Sequence, residues 1–100
     1  MRNFRTFDKA VEFYRHVQTL GLPSHLKEQL LRASSSIALN LAEGRAKPTR
    51  KDQLKFFNIA FGSLRESQAI LILANLENSH AAHLADIVAA HLYKLIQNAG

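Results

Sequence analysis

The chain has 100 residues, enough for one small domain around one core, so a single domain over residues 1–100 is expected. Hydrophobic residues make up 47% and charged residues 21%, which excludes a disordered chain, and the lack of cysteine excludes disulfides and thiolate metal sites. A net charge of +5 favours acidic partners such as nucleic acid or anionic lipid, because phosphates reward Lys and Arg through counterion release.

The opening MRNFRTFDKA lacks the apolar run of a signal peptide, and polar residues interrupt every apolar stretch further on. With no cysteine to protect, a cytoplasmic protein without a membrane-spanning segment is expected.

Helical periodicity runs through the chain, and no segment alternates with period two for long enough to read as a strand. A first helix over residues 6–20 has Phe7, Val11, Tyr14 and Val17 on one face, with Gly21 and Pro23 ending it. Ser24 is the expected N-cap of a second helix reaching residue 43, whose core stripe is Leu26, Leu30, Ala33, Ile37 and Leu41. Gly44 is placed as its C′ residue, with Pro48 beyond. Thr49, three residues before Asp52, resembles a capping box for a third helix that runs to about residues 75–77. The stripe there is Leu54, Phe57, Phe61, Leu64 and Leu71. Asn78 and Ser79 supply a turn and cap, and a fourth helix covers residues 80–97. Leu84, Ile87 or Val88, His91 or Leu92, and Leu95 face inward on it. Short connections between long helices predict an all-α, up-down-up-down antiparallel four-helix bundle.

A polar stripe, Arg32, Ser36, Asn40 and Glu43, shares one face of the second helix. Serines and Asn40 are poor helix formers to place on a solvated surface, so structural or subunit-interface roles are expected. Pairing the second and third helices about Pro48 sets Arg32 near Ser63 and one turn from Glu66, with Ala33 near Gly62 and Glu43 at the turn beside Lys51 and Asp52. A mid-helix glycine costs about 1 kcal/mol relative to alanine, so Gly62 is expected to permit a close helix approach. Arg32 and Glu66 are expected to form an interhelical ion pair.

Nothing in the chain assembles a catalytic apparatus. There is no Gly-x-Ser-x-Gly elbow and no phosphate-cradling glycine loop. His80, His83 and Asp86 could share a helical face, but neither HExxH nor a Glu-x-x-His pair occurs. His80 and His83 are expected to be exposed at a helix start, and His91 to pack partly buried. The expectation is a non-enzyme with no cofactor and no metal.

Charge is concentrated at one turn. Arg45, Lys47, Arg50, Lys51 and Lys55 fall within eleven residues, opposed there only by Asp52. Arg2, Arg5 and Lys9 form a second group, which the bundle topology brings to the same end. Such a patch predicts salt-dependent phosphate binding without base readout, since no helix-turn-helix or aromatic RNA-binding motif is present. Of the adjacent Phe56 and Phe57, at most one can face the core.

The segments LPSHLKEQLLRASSSIALNLAEGRAK (22–47) and FFNIAFGSLRES (56–67) carry a specific pattern. Its residues are Arg32, Ala33, Ser36, Ile37, Asn40, Ala42, Glu43 and Gly44, then Ala60, Gly62, Ser63, Leu64 and Glu66. This resembles the four-helix-bundle proteins encoded in intervening sequences of bacterial 23S rRNA genes. Accessory variability determinant proteins of diversity-generating retroelements belong to the same superfamily. The resemblance implies a closed four-helix bundle and a homopentameric ring. For the retroelement members it implies a basic surface that binds nucleic acid and a partner reverse transcriptase. The chain departs from the pattern at Leu31, where many relatives carry a second Arg, and its nearly neutral LIQNAG ending replaces a basic tail.

Two readings of function follow. One is a non-enzymatic homo-oligomer that binds RNA or DNA through Arg45, Lys47, Arg50, Lys51 and Lys55. The other is a structural oligomerisation module whose basic end meets a protein partner or nothing. In both, Arg32, Asn40, Glu43, Gly44, Gly62, Ser63 and Glu66 are structural signature residues.

Overall fold

All four expected helices form. The computed structural model describes residues 3–98 and contains α1 (Arg5–Val17), α2 (Ser24–Arg45), α3 (Arg50–Leu73) and α4 (His80–Gln97), with no strand among the described residues. The helices pack in a ring in chain order, with α4 closing against α1 and no backbone approach across the diagonals. Contacts at opposite ends of each neighbouring pair show antiparallel packing. Lys27 meets Val17 at the α1–α2 turn, whereas Arg45 lies over Phe4 at the far end. Gln68 meets Asp86 across α3 and α4, and Arg50 reaches Leu95 at their other end. His16 meets His80 across α1 and α4. The result is an all-α, antiparallel four-helix bundle 40 Å long and 22 × 20 Å across.

The core stripe of α2 is as its periodicity predicts: Leu30, Ala33, Ile37 and Leu41 are buried, and Leu26 is half-buried at the entrance. On α3, Phe57, Leu64 and Leu71 are buried, joined by Ala60, Ser67 and Ile70. Val88 and Leu92, rather than Ile87 and His91, turn inward on α4. The face of α1 differs from expectation. Thr6, Ala10, Phe13 and Val17 are buried, while Phe7, Val11 and Tyr14 are half-buried. Two stripes of α1 have helical spacing, and the one that includes Phe13 places the larger apolar surface in the centre.

Helix ends are set by local chemistry. α1 stops at Val17 because the carbonyls of Val17, Gln18 and Leu20 all accept from the Lys27 ammonium, while Thr19 donates its hydroxyl to the His16 carbonyl. A cation there also suits the negative end of the helix dipole. Pro23, not Ser24, is the N-cap of α2, and Ser24 is its first residue. Thr49 and Ser79 cap α3 and α4 through hydrogen bonds from the Asp52 and Ala82 backbone N–H groups. Asn75 ends α3 with φ 61°. The Leu76 N–H donates to the Leu71 carbonyl and the Asn75 N–H to the Ile72 carbonyl, the paired closure of a Schellman motif.

Gly44 is no helix terminator. It lies inside α2, is buried, and has no positive φ. A Cβ on it would stand 2.7 Å from Cε1 of Phe57 and 3.0 Å from Cβ of Phe56. The absent side chain is therefore what lets α3 cross α2 at this level.

Candidate nucleic-acid interface

The α2–α3 hairpin holds most of the residues that the sequence pattern singled out. Ser36 and Ser63 share a hydrogen bond of 2.8 Å across the two helices, and Asn40 donates to the Ser36 carbonyl (2.9 Å) and hydroxyl (3.1 Å). These half-buried groups satisfy one another at the seam. The register is displaced by one turn from the expected one, so Ser36 rather than Arg32 faces Ser63. The expected ion pair is absent: Arg32 and Glu66 are both exposed, and Arg32 lies 3.5 Å from Glu28 on its own helix. Gly62 is also exposed, with nothing within 4 Å of where its Cβ would stand. The close approach expected at Gly62 occurs at Gly44.

At the tip of the hairpin the five expected cations divide into two kinds. Arg50 is half-buried and belongs to the fold. Its Nη2 donates to the Leu95 carbonyl at 2.6 Å and the Ile96 carbonyl at 3.3 Å, while its Nε is buried without a hydrogen-bond partner among the described residues. It thus carries positive charge from the start of α3 to the carbonyl end of α4, where the helix dipole favours it. Lys47 is drawn to Glu43 at 3.0 Å, and the backbone carbonyl of Lys47 accepts from Gln53. Glu43 therefore meets Lys47, not Lys51 or Asp52 as the earlier register implied.

Arg45, Lys51 and Lys55 are exposed, and none forms a salt bridge among the described residues. Arg45 stacks 4.4 Å above the Phe4 ring. This contact joins the tip to the start of α1, where Arg5 is exposed and Lys9 sits 3.7 Å from Glu12. Arg2 lies outside the described residues. Phe57 is buried, while Phe56 is half-buried with Lys47 5.1 Å and Lys55 5.9 Å from its ring centre. Phe4 and Phe56 thus act as platforms that hold flexible cations in place. Spacing does not identify Phe4, whose cation Arg45 comes from the far end of α2, whereas Lys55 beside Phe56 is visible in the sequence.

What the end of the bundle offers is a set of solvated cations, suited to phosphate contact. At the opposite end, His80 and His83 are exposed, with ring centres 6.2 Å apart, and His16 is 4.9 Å from His80. No group of three His, Asp or Glu residues is arranged to hold a metal ion among the described residues. His91 is half-buried. No described helix is long and apolar enough to cross a membrane.

No curated protein matches the chain. A family model described as 23S rRNA-intervening sequence protein matches residues 2–97, covering all four helices and both halves of the hairpin pattern. The chain belongs to the 23S rRNA-intervening sequence protein family.

Proposed function

We propose that this protein is a non-enzymatic homo-oligomer that binds nucleic-acid phosphates, without base readout, through the α2–α3 end of the bundle. The observation that carries the reading is the exposure of Arg45, Lys51 and Lys55 at one end, beside Arg5 and without acidic partners among the described residues. Phosphate contacts by such side chains release counterions, so affinity falls steeply with salt.

Binding of a labelled single-stranded RNA and a duplex DNA across a salt series tests this. Affinity should drop as salt rises, and Arg45→Ala/Lys51→Ala/Lys55→Ala should flatten the log–log slope by roughly 2–3. No binding at low salt, or an unchanged slope in the triple variant, overturns the reading.

Arg50 and Lys47 favour a second reading, because two of the five clustered cations serve the fold itself. On that reading the basic end is the rim of an oligomerisation module. Assembly without salt-sensitive nucleic-acid binding is its signature.

A further inference from the structure

Positive charge is concentrated at the hairpin tip and missing from another part of the chain. Residues 66–93 contain no Lys or Arg, although the chain has 13 of them, and they carry the acids Glu66, Glu77 and Asp86. Two of these acids line a groove of about 220 Å³ between α3 and α4, in the half of the bundle away from the tip. Its apolar lining is Leu71, Ile72 and Ala82, and its polar lining is Gln68, Glu77 and Asp86. Neither carboxylate forms a salt bridge among the described residues. Asp86 accepts from the Gln68 amide at 3.2 Å, and the oxygen of that amide accepts from Arg65 at 2.8 Å. Arg65 thus fixes the Gln68 amide without reaching either acid. Beside the groove the apolar surface continues: Ile72 is 59% exposed, and Leu73, the next residue, is 68% exposed.

We propose that this groove docks a basic segment of a partner polypeptide, seating an arginine side chain with its alkyl stem on Leu71, Ile72 and Ala82 and its guanidinium between Glu77 and Asp86. The site goes beyond phosphate binding at the tip and uses none of its residues. Charge identifies the occupant: two carboxylates without an internal cation repel nucleic acid and attract a positive group. The apolar lining then selects a cation on an alkyl stem, since such side chains bury their methylenes along apolar surface and keep the charge at its edge. A guanidinium suits two carboxylates better than an ammonium, because its planar fork presents five donors. Size agrees, since a groove of about 220 Å³ lies below the ~300 Å³ at which small-molecule pockets begin and fits one long side chain. Ile72 and Leu73 favour a polypeptide over a free polyamine. Residues that flank an arginine can cover that apolar surface, whereas a polyamine leaves it in water.

The test is an NMR titration of the nuclease-treated full chain, labelled at Ile, Leu and Ala methyls, with a blocked Leu-Arg-Leu peptide. The methyl signals of Leu71, Ile72 and Ala82 should shift. The same peptide with citrulline in place of arginine, equal in size but uncharged, should bind roughly tenfold more weakly. Glu77→Gln and Asp86→Asn, both at exposed positions, should each weaken binding of the arginine peptide roughly two- to fivefold, as exposed ion pairs do. Arg45→Ala/Lys51→Ala/Lys55→Ala should leave it unchanged. Absent shifts, or equal binding of the arginine and citrulline peptides, overturn the site. Spermidine that binds as tightly as the arginine peptide overturns a polypeptide as the occupant. Groove signals that move with protein concentration alone assign the groove to a second copy and overturn a separate partner.

Discussion

Gly44 and Gly62 occupy the two arms of one hairpin, both inside helices, and meet opposite surroundings. A side chain at Gly44 would run into the buried ring of Phe57, whereas one at Gly62 would enter solvent. The first region is the tight inner crossing of α2 and α3. The second is the outer face of the same pair, where Gly62, Leu39, Ile59 and Glu66 are exposed. A glycine within a helix thus records close contact, but the contact can lie inside the chain or outside it.

The comparison breaks most sharply at the inner crossing. Gly44→Val should destabilise the bundle by about 3 kcal/mol, at the upper end of overpacking costs, because the new side chain would meet the buried Phe57 ring and Cβ of Phe56. For a domain of this size that is a fall in melting temperature of roughly 12–24 °C, measurable by circular dichroism. Combining it with Phe57→Leu should recover part of the loss, since the two changes act on one contact. An unchanged melting temperature for Gly44→Val would remove the inner crossing as the reason for this glycine.

A smaller effect separates two neighbouring cations at the hairpin tip. Arg50→Gln removes donation from a charged group to the Leu95 and Ile96 carbonyls and should cost about 2 kcal/mol in urea unfolding. Lys51→Gln, one residue on and exposed, should stay within about 0.5 kcal/mol. In the salt series the order reverses: Lys51→Gln should lower nucleic-acid affinity more than Arg50→Gln does in folded protein. Equal stabilities for the two variants would place Arg50 among the solvated cations.

Much of the fold was legible because long periodic helices announce themselves. The core stripe of α2, the caps Thr49 and Ser79, and the limits of α4 all follow from local chemistry. Features that depend on how helices meet were less legible. The face of α1 was ambiguous because Phe7 and Phe13 each head an apolar stripe, and only packing selects Phe13. The hairpin register was off by one turn because the Ser36–Ser63 hydrogen bond, and not the midpoint of the turn, decides which residues meet across the two helices. Arg32 and Glu66 come level in the observed register, but both side chains are exposed and Arg32 meets Glu28 on its own helix instead. At the tip, the cluster of basic residues was plain in the sequence. Its division into Arg50, held by α4, and exposed Arg45, Lys51 and Lys55 depends on α4 ending beside the start of α3, a juxtaposition that spacing does not encode.

Gly62→Ala gives the smallest change, and its sign distinguishes the two faces. In the single chain the new methyl meets nothing within 4 Å, and helix propensity alone should stabilise α3 by up to about 1 kcal/mol. A residue kept only for the stability of the bundle should not sit at a position where alanine improves it. If the outer face is covered by a second copy, the methyl intrudes on the approaching helix and weakens assembly while the monomer gains stability. Unfolding measured at concentrations below assembly, set beside sedimentation above it, reads the two effects separately. A more stable monomer with weaker assembly assigns Gly62 to the contact between chains, by the same steric logic that assigns Gly44 to the contact within one. A more stable monomer with unchanged assembly leaves Gly62 outside both contacts and confines the glycine argument to the inner crossing.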